Sequence, residues 1–385
     1  MDETHGTEWV DRARRLGPAL AEVTSRHDLE GTFVRESYSL LREHRFFSMG
    51  VPRELGGASA LHGEICETVR ELARHCGSTA LAFSMHSHLV ATAVWRQLHG
   101  QPADALLRKI AASELVLLST GASDWVDSNG TMVKVDGGYR VTARKIFGSG
   151  APAADLLMTS APYDDPGAGP QVLHFSVPMS ADGLTLANDW NTLGMRGTGS
   201  STVEMTSVFV PEEAISLRRP RCAWHPAWSV TLTVAIPVFM AAYVGIAEAA
   251  SELALAAAAN RRDAPYLPQL AGELDSLLMQ THLAWRAAVD GAANYDFTPS
   301  LHRANRALVA KTLCANAATA TVRKAMEIAG GPGFFRGPLE RMLRDVSAAP
   351  YHVLPEKRQL HFSGLLALGR DPITGRSLTE SGRVA

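Results

Sequence analysis

Little in this sequence is extreme, and each shortage removes a class of function. Only four cysteines occur in 385 residues, Cys66, Cys76, Cys222 and Cys314, and no two stand in CxxC spacing. They read as reduced, mostly buried thiols and not as a disulfide framework. Neither sign of charge is in excess: 37 Lys and Arg face 39 Asp and Glu, for a net charge of -2, and the basic residues are scattered. Such a chain projects no field for phosphate backbones or anionic lipid, so neither nucleic acid nor a membrane is expected as partner. No stretch reads as long enough to cross a bilayer. The start, Met1-Asp2-Glu3-Thr4-His5, is acidic where a secretory signal would be basic and then apolar, so the cytoplasm is the expectation. What the chain does have is 46% hydrophobic residues, enough for a large core or several packed layers.

Periodicity divides the chain into three. Up to about residue 114 the apolar spacing is helical: Trp9, Ala13, Leu16, Leu20 and Val23 recur at fours and threes, with Gly17-Pro18 as a bend or restart, and Ile65, Val69, Leu72 and Cys76 repeat the pattern. A buried helix follows from Thr79 to Leu98, and Pro102 opens another through Ala112. Between them Met49 to Gly57 reads as a loop. From Leu115 to Val210 the period drops to two, with strands expected at Leu115–Ser119, Thr131–Val135, Tyr139–Ile146, Asp155–Ser160, Gln171–Val177 and Thr202–Val210, and with a hairpin turn at Asp136-Gly137-Gly138. After about residue 228 helical patterning returns to Asn260, then over Pro265–Gly291 and Leu301–Met326. The expected domains are therefore 1–114, helical; 115–220, β; and 221–385, a helical bundle.

Two motifs give this order a meaning. The first is Trp190-Asn191-Thr192-Leu193-Gly194-Met195-Arg196-Gly197-Thr198-Gly199-Ser200-Ser201, leading into an alternating strand that ends in Val210-Pro211. The second is Gly330-Gly331-Pro332-Gly333-Phe334, followed by Pro338-Leu339-Glu340-Arg341-Met342-Leu343-Arg344-Asp345. Glycines alone can mean only a turn or a helix stop. Together and in this order the motifs resemble the signature elements of the acyl-CoA dehydrogenase superfamily, as does the Pro52…Gly56-Gly57 loop. The resemblance implies an α+β fold with an N-terminal helical domain, a middle β-barrel domain and a C-terminal four-helix bundle. It also implies a bound FAD, with FMN as the other flavin open, and a homo-oligomer, tetramer or dimer, whose cofactor sites draw on two subunits.

Carried over residue by residue, the resemblance implies flavin contacts at several positions. Lys145-Ile146-Phe147-Gly148-Ser149 resembles the strand lying against the flavin ring, with Phe147 where Trp is usual and Ser149 as the hydroxyl. Ser119, Thr120 and Ser123 stand in a shortened version of the strand end that supplies hydrogen bonds to the cofactor, which lacks its acidic and proline positions. Gly330, Gly331 and Gly333 correspond to the cluster that meets a neighbouring subunit's cofactor, and Arg261 to an arginine reaching its pyrophosphate, although Asp263-Ala264-Pro265 departs from the usual residues there.

The reaction class turns on a missing residue. A dehydrogenase of this superfamily needs a glutamate base for the proton α to a thioester, with hydride passing to the flavin. Nine residues beyond Arg344 stands Val353, and Ser229 to Val244 contains no acidic side chain, so both usual positions of the base are empty. Glu356 is the candidate replacement, although Pro355-Glu356 can equally begin a helix. The flavin-dependent monooxygenase branch lacks the glutamate and often carries a histidine near this position, which His352 matches. An imidazole there can donate a hydrogen bond or take a proton. His86 and His88 are substrate-side candidates; two apart on a helix, they cannot easily share one metal ion, and no metal is expected. Arg196, the cation of the signature loop, is a further substrate-binding candidate.

The expectation is a two-component monooxygenase using reduced flavin and O2 on a small or carrier-bound metabolite, supplied by a flavin reductase. The alternatives are an atypical acyl-CoA dehydrogenase that uses Glu356 and passes electrons to electron-transferring flavoprotein, and a catalytically idle scaffold that binds a ligand.

Overall fold

The computed structural model describes residues 7–120 and 126–378. Its first part is helical: α1 (Glu8–Glu30), α2 (Arg35–Glu43), α3 (His62–His75), α4 (Gly77–Leu98) and α5 (Asp104–Ser113). Gly17-Pro18 does not restart α1, which runs through Pro18 on its exposed side. Gly17 is where α3 approaches, since a Cβ there would stand 2.3 Å from the His75 ring.

Eight strands follow: β1 (Leu117–Ser119), β2 (Thr131–Val135), β3 (Gly138–Gly148), β4 (Leu156–Asp165), β5 (Gly169–Pro178), β6 (Leu184–Leu186), β7 (Ser201–Pro211) and β8 (Ile215–Pro220). The β2–β3 hairpin turns at Asp136-Gly137, with Gly137 at φ 72°. The strands of this middle β domain form two four-stranded sheets, ordered β1-β4-β5-β8 and β2-β3-β7-β6. Among the described residues only β1 and β4 pair in parallel. Leu118, Leu157 and Phe175 from one sheet and Val141, Val203 and Met205 from the other share a single core. The periodicity did not register β6 or β8. The first is three residues long, and in the second Arg218 and Arg219 break the apolar alternation, Arg219 being buried against His174 at 2.9 Å.

The chain then returns to helices: α6 (Pro226–Ala257), α7 (Leu267–Ala292), α8 (Leu301–Ala329), the single turn α9 (Gly331–Phe334), α10 (Pro338–Val346) and α11 (Glu356–Ala367). Contrary to expectation, α6 is long and apolar enough to cross a membrane, with a mean hydropathy of 2.0 over its best window, but 94% of that window is buried inside the fold. It is apolar all round because α3, α4, α7, α8 and α10 pack against it. Gly245 admits α3, as a Cβ would lie 2.1 Å from the Arg70 carbonyl oxygen.

Candidate active site

The two sequence motifs, about 150 residues apart, are in contact. Asp345 at the end of α10 accepts a hydrogen bond from the Met195 backbone N–H at 2.5 Å, and Gly194 packs so closely on α10 that a Cβ would fall 2.0 Å from the Arg344 carbonyl oxygen. Met195 itself has φ 54°, a strained value for a side chain of its size, held by this clamp and by Trp190, whose indole N–H donates to the Met195 carbonyl at 3.0 Å. Arg344 makes a two-pronged pair with Asp28 of α1, at 2.6 and 2.9 Å, which ties the same helix to the N-terminal domain. Burial pushes the Asp345 carboxyl up to about 6, against the opposing effect of the Met195 N–H.

Where this loop meets α4, β1, β3 and α6 lies a cavity of about 530 Å³, within the range of small-molecule sites. Phe147 and Trp190, with ring centres 4.8 Å apart and planes at 59°, form one wall, and Phe147 remains 39% exposed. Ser149 Oγ and Ser200 Oγ stand 2.8 Å apart at the rim, and Thr120 Oγ1 shares a 2.6 Å bond with Thr159 of β4. An open aromatic face edged by hydroxyls suits a flat heteroaromatic group with polar edges. Ser119, Thr120, Phe147 and Ser149 thus line one cavity. Ser123 lies outside the described residues.

His352 also lines the cavity, from the turn between α10 and α11. Its ring stacks on Phe239 of α6 with centres 4.8 Å apart, and Nε2 lies 2.6 Å from the Tyr243 hydroxyl. Desolvation, with the Lys311 ammonium nearby, pushes the imidazole down to about 3, so it is neutral throughout the physiological range. Lys311 of α8 donates to the carbonyls of Pro350 and Leu354, at 3.3 and 2.9 Å, and so grips the turn on both sides of the histidine.

His88 also faces this cavity and a second one of about 320 Å³ that shares Ser119, Thr120, Trp228 and Thr231 with it. Its Nδ1 lies 3.3 Å from the Ser84 carbonyl one helical turn back, which directs the Nδ1 proton there and leaves Nε2 as an acceptor. Burial lowers it to about 4. No Asp or Glu is among the described residues lining the main cavity.

Other candidates lie elsewhere. His86 does not face the cavity: its Nε2 is 2.8 Å from the Phe47 carbonyl oxygen and its Nδ1 accepts from the Leu117 N–H at 3.0 Å, so both nitrogens are spent in joining α4 to β1 and the preceding loop. Glu356 is also away from it. Pro355 starts α11, and the carboxylate turns towards Asn316 of α8 at 3.4 Å. Arg196 donates to the carbonyls of Asp28 and Thr192 and lines not the main cavity but an adjoining one, with Arg336 and Arg341, that shares Thr192, Leu193 and Arg344 with it. Arg261 donates to the Ile328 and Ala329 carbonyls and closes the end of α8 beside Gly330, which takes φ 68°. Gly330, Gly331 and Gly333 remain with it, outside the main cavity.

Tyr243, Lys311, Trp190 and Phe239 are the site residues that motif reading missed. For Tyr243 a signal existed: a lone hydroxyl in the run Ala241-Ala242-Tyr243-Val244-Gly245 of an otherwise apolar helix needs a partner.

A helical domain, a two-sheet β domain and a helical bundle enclose a cleft of aromatic rings, hydroxyls and imidazoles, lined also by Arg344 and by no carboxylate among the described residues. Residues 8–114 match the acyl-CoA dehydrogenase N-terminal domain and residues 229–351 its C-terminal domain. The chain belongs to the acyl-CoA dehydrogenase superfamily. It is 29% identical to the amino sugar nitrososynthase DnmZ of Streptomyces peucetius, over 95% of this chain and 94% of that protein. It is 28% identical to an L-evernosamine nitrososynthase of a Micromonospora species, over 90% and 86%. The solved structure of KijD3 in complex with FMN and dTDP-3-amino-2,3,6-trideoxy-4-keto-3-methyl-D-glucose superimposes with a TM-score of 0.85 at 26% identity, covering 96% of this chain and 95% of that one.

Proposed function

We propose that this protein is a flavin-dependent monooxygenase that oxygenates the amino group of a small metabolite, an amino sugar carried on a nucleotide being the class its relatives suggest. The observation that carries the reading is the lining of the main cavity: two neutral imidazoles and, among the described residues, no carboxylate. Imidazoles held at about 3 and about 4 are too weakly basic to pull a proton from carbon, as dehydrogenation requires, but remain good hydrogen-bonding groups. The same lining favours a neutral amine over an ammonium ion, since no anion repays the loss of water. A neutral amine keeps the lone pair that attacks oxygen.

Phe147 and Trp190 are the wall for the flavin ring, and Thr120, Ser149 and Ser200 the hydroxyls for its polar edge. Bound in reduced form, FMN or FAD supplies the electrons by which one atom of O2 passes to substrate and the other leaves as water. His352 orients the oxygen to be transferred, and His88 accepts a hydrogen bond from the substrate N–H. Leu81, Met85, Leu232 and Ala235 keep bulk water out.

The reading extends to a flavin reductase as supplier, a cytoplasmic setting and a homo-oligomer built on domains 1–114, 115–220 and 221–385. The exposed Phe334 and Phe335 beside Gly330, Gly331, Gly333 and Arg261 are the surface for a neighbouring subunit and its cofactor. Single-turnover mixing of protein, photoreduced FMN and 18O2 with a nucleotide-linked amino sugar tests the reading. Label incorporated into a hydroxylamine is expected in the first turnover, and into a nitroso product once further reduced FMN is supplied. Anaerobic bleaching of oxidised flavin by an acyl thioester, with no label transferred to the amine, would replace the reading with dehydrogenation.

A further inference from the structure

The mechanism above needs His352 to be a donor, and the chain contains a device that decides this. Tyr243 sits at the middle of α6 with none of its surface exposed. Among the described residues its hydroxyl has one hydrogen-bond partner, His352 Nε2 at 2.6 Å. A neutral phenol can either donate to that nitrogen or accept from it. If it accepted, its own proton would be left unpaired in the buried interior, so it donates. Burial, reinforced by the nearby Asp345, pushes the phenol well above its ordinary value and keeps that proton in place.

Donation to Nε2 leaves the imidazole proton on Nδ1. That atom has no partner among the described residues, and His352 lines the cavity. The ring cannot easily rotate to exchange its nitrogens, because Phe239 stacks on its face, planes 21° apart, and Lys311 holds the carbonyls of Pro350 and Leu354 on either side of it in sequence.

We propose that Tyr243 is a positioning residue that locks His352 in its Nδ1–H tautomer, so that the histidine presents a hydrogen-bond donor to the oxygen-bearing group in the cavity. The inference deepens the monooxygenase reading, yet its first test does not depend on it.

Long-range 1H–15N correlation spectra of the full chain, labelled in histidine and free of flavin, report which nitrogen of each ring is protonated. The His352 signals are assigned by their loss in His352→Gln. The expected wild-type pattern is a protonated Nδ1 and an acceptor Nε2, unchanged from pH 5 to pH 8. A protonated Nε2 in the wild type would overturn the proposal without need of a second variant. In Tyr243→Phe the remaining histidine signals should stay in place while His352 shifts toward the Nε2–H form; an unmoved His352 pattern would also overturn it. With flavin and substrate, Tyr243→Phe should lower product formed per O2 roughly tenfold, with hydrogen peroxide making up the difference and KM for the amine unchanged. If the amine is not oxygenated at all, the function is wrong while the tautomer result still stands or falls by itself.

Discussion

His86 and His352 are both neutral imidazoles, lowered to about 4 and about 3 by desolvation, and they differ in what their nitrogens do. His86, 1% exposed, gives both to backbone partners on different elements and is a rivet between α4, β1 and the loop at Phe47. His352 gives one to Tyr243 and turns the other edge to an open cavity. A perturbed pKa marks both sites equally; an account of hydrogen-bond partners separates structure from chemistry.

The comparison breaks most visibly in activity. His352→Ala should lower oxygenated product about 100-fold or more, on the scale of a lost catalytic hydrogen-bonding group, with excess peroxide released and a stability cost of about 1–2 kcal/mol, since the buried Tyr243 hydroxyl loses its partner. Unchanged coupling would remove the histidine from the mechanism. His86→Ala should act chiefly on stability. It leaves the Phe47 carbonyl and Leu117 N–H unpaired beside a cavity, a loss of about 3 kcal/mol in denaturant unfolding, and loss of activity without loss of stability would contradict the rivet.

A buried carboxyl sharpens the contrast through pH. Asp345 is raised in the folded protein to about 6 from an ordinary 3.8, so the folded state holds its proton more tightly than the unfolded one. Its contribution to stability is therefore fully present below pH 3.8 and lost as pH rises through 6. Asp345→Asn keeps an oxygen for the Met195 N–H and removes the titration. Relative to the wild type it should gain up to about 3 kcal/mol between pH 4 and 7, and a pH-independent difference would refute the assignment. The smallest effect is expected at Glu356, whose side chain is 41% exposed at the start of α11. Glu356→Gln should leave turnover within about twofold, since outward-facing substitutions of this kind change little. A collapse of activity would restore it as a base.

Much of this was legible in the sequence, for reasons that can be named. Long helices and five of the six expected strands had unambiguous periods over most of their length, and the Asp136-Gly137 turn carried its own chemistry. The sixth, β1, was shorter than expected, since Leu115 and Val116 serve as a connection. Phe147 came from a local motif and His352 from an absent glutamate, whereas Trp190, the wall partner of Phe147, was read only as the start of a loop motif. The contacts that define the site were not legible, because they join elements far apart in sequence: Tyr243 meets His352 across 109 positions, and Asp345 meets Met195 across 150. Nor does helical spacing tell His86 from His88, as it cannot say which side of a buried helix borders a cavity.

The nine-residue α10 has one more consequence. It clasps the loop bearing Trp190 through Gly194 and Asp345, it is anchored to α1 through Arg344, and it runs directly into the turn bearing His352. The aromatic wall and the imidazole are thus registered to a common strut. A displacement of that strut would carry both together, preserving their spacing while changing the width of the cleft's mouth.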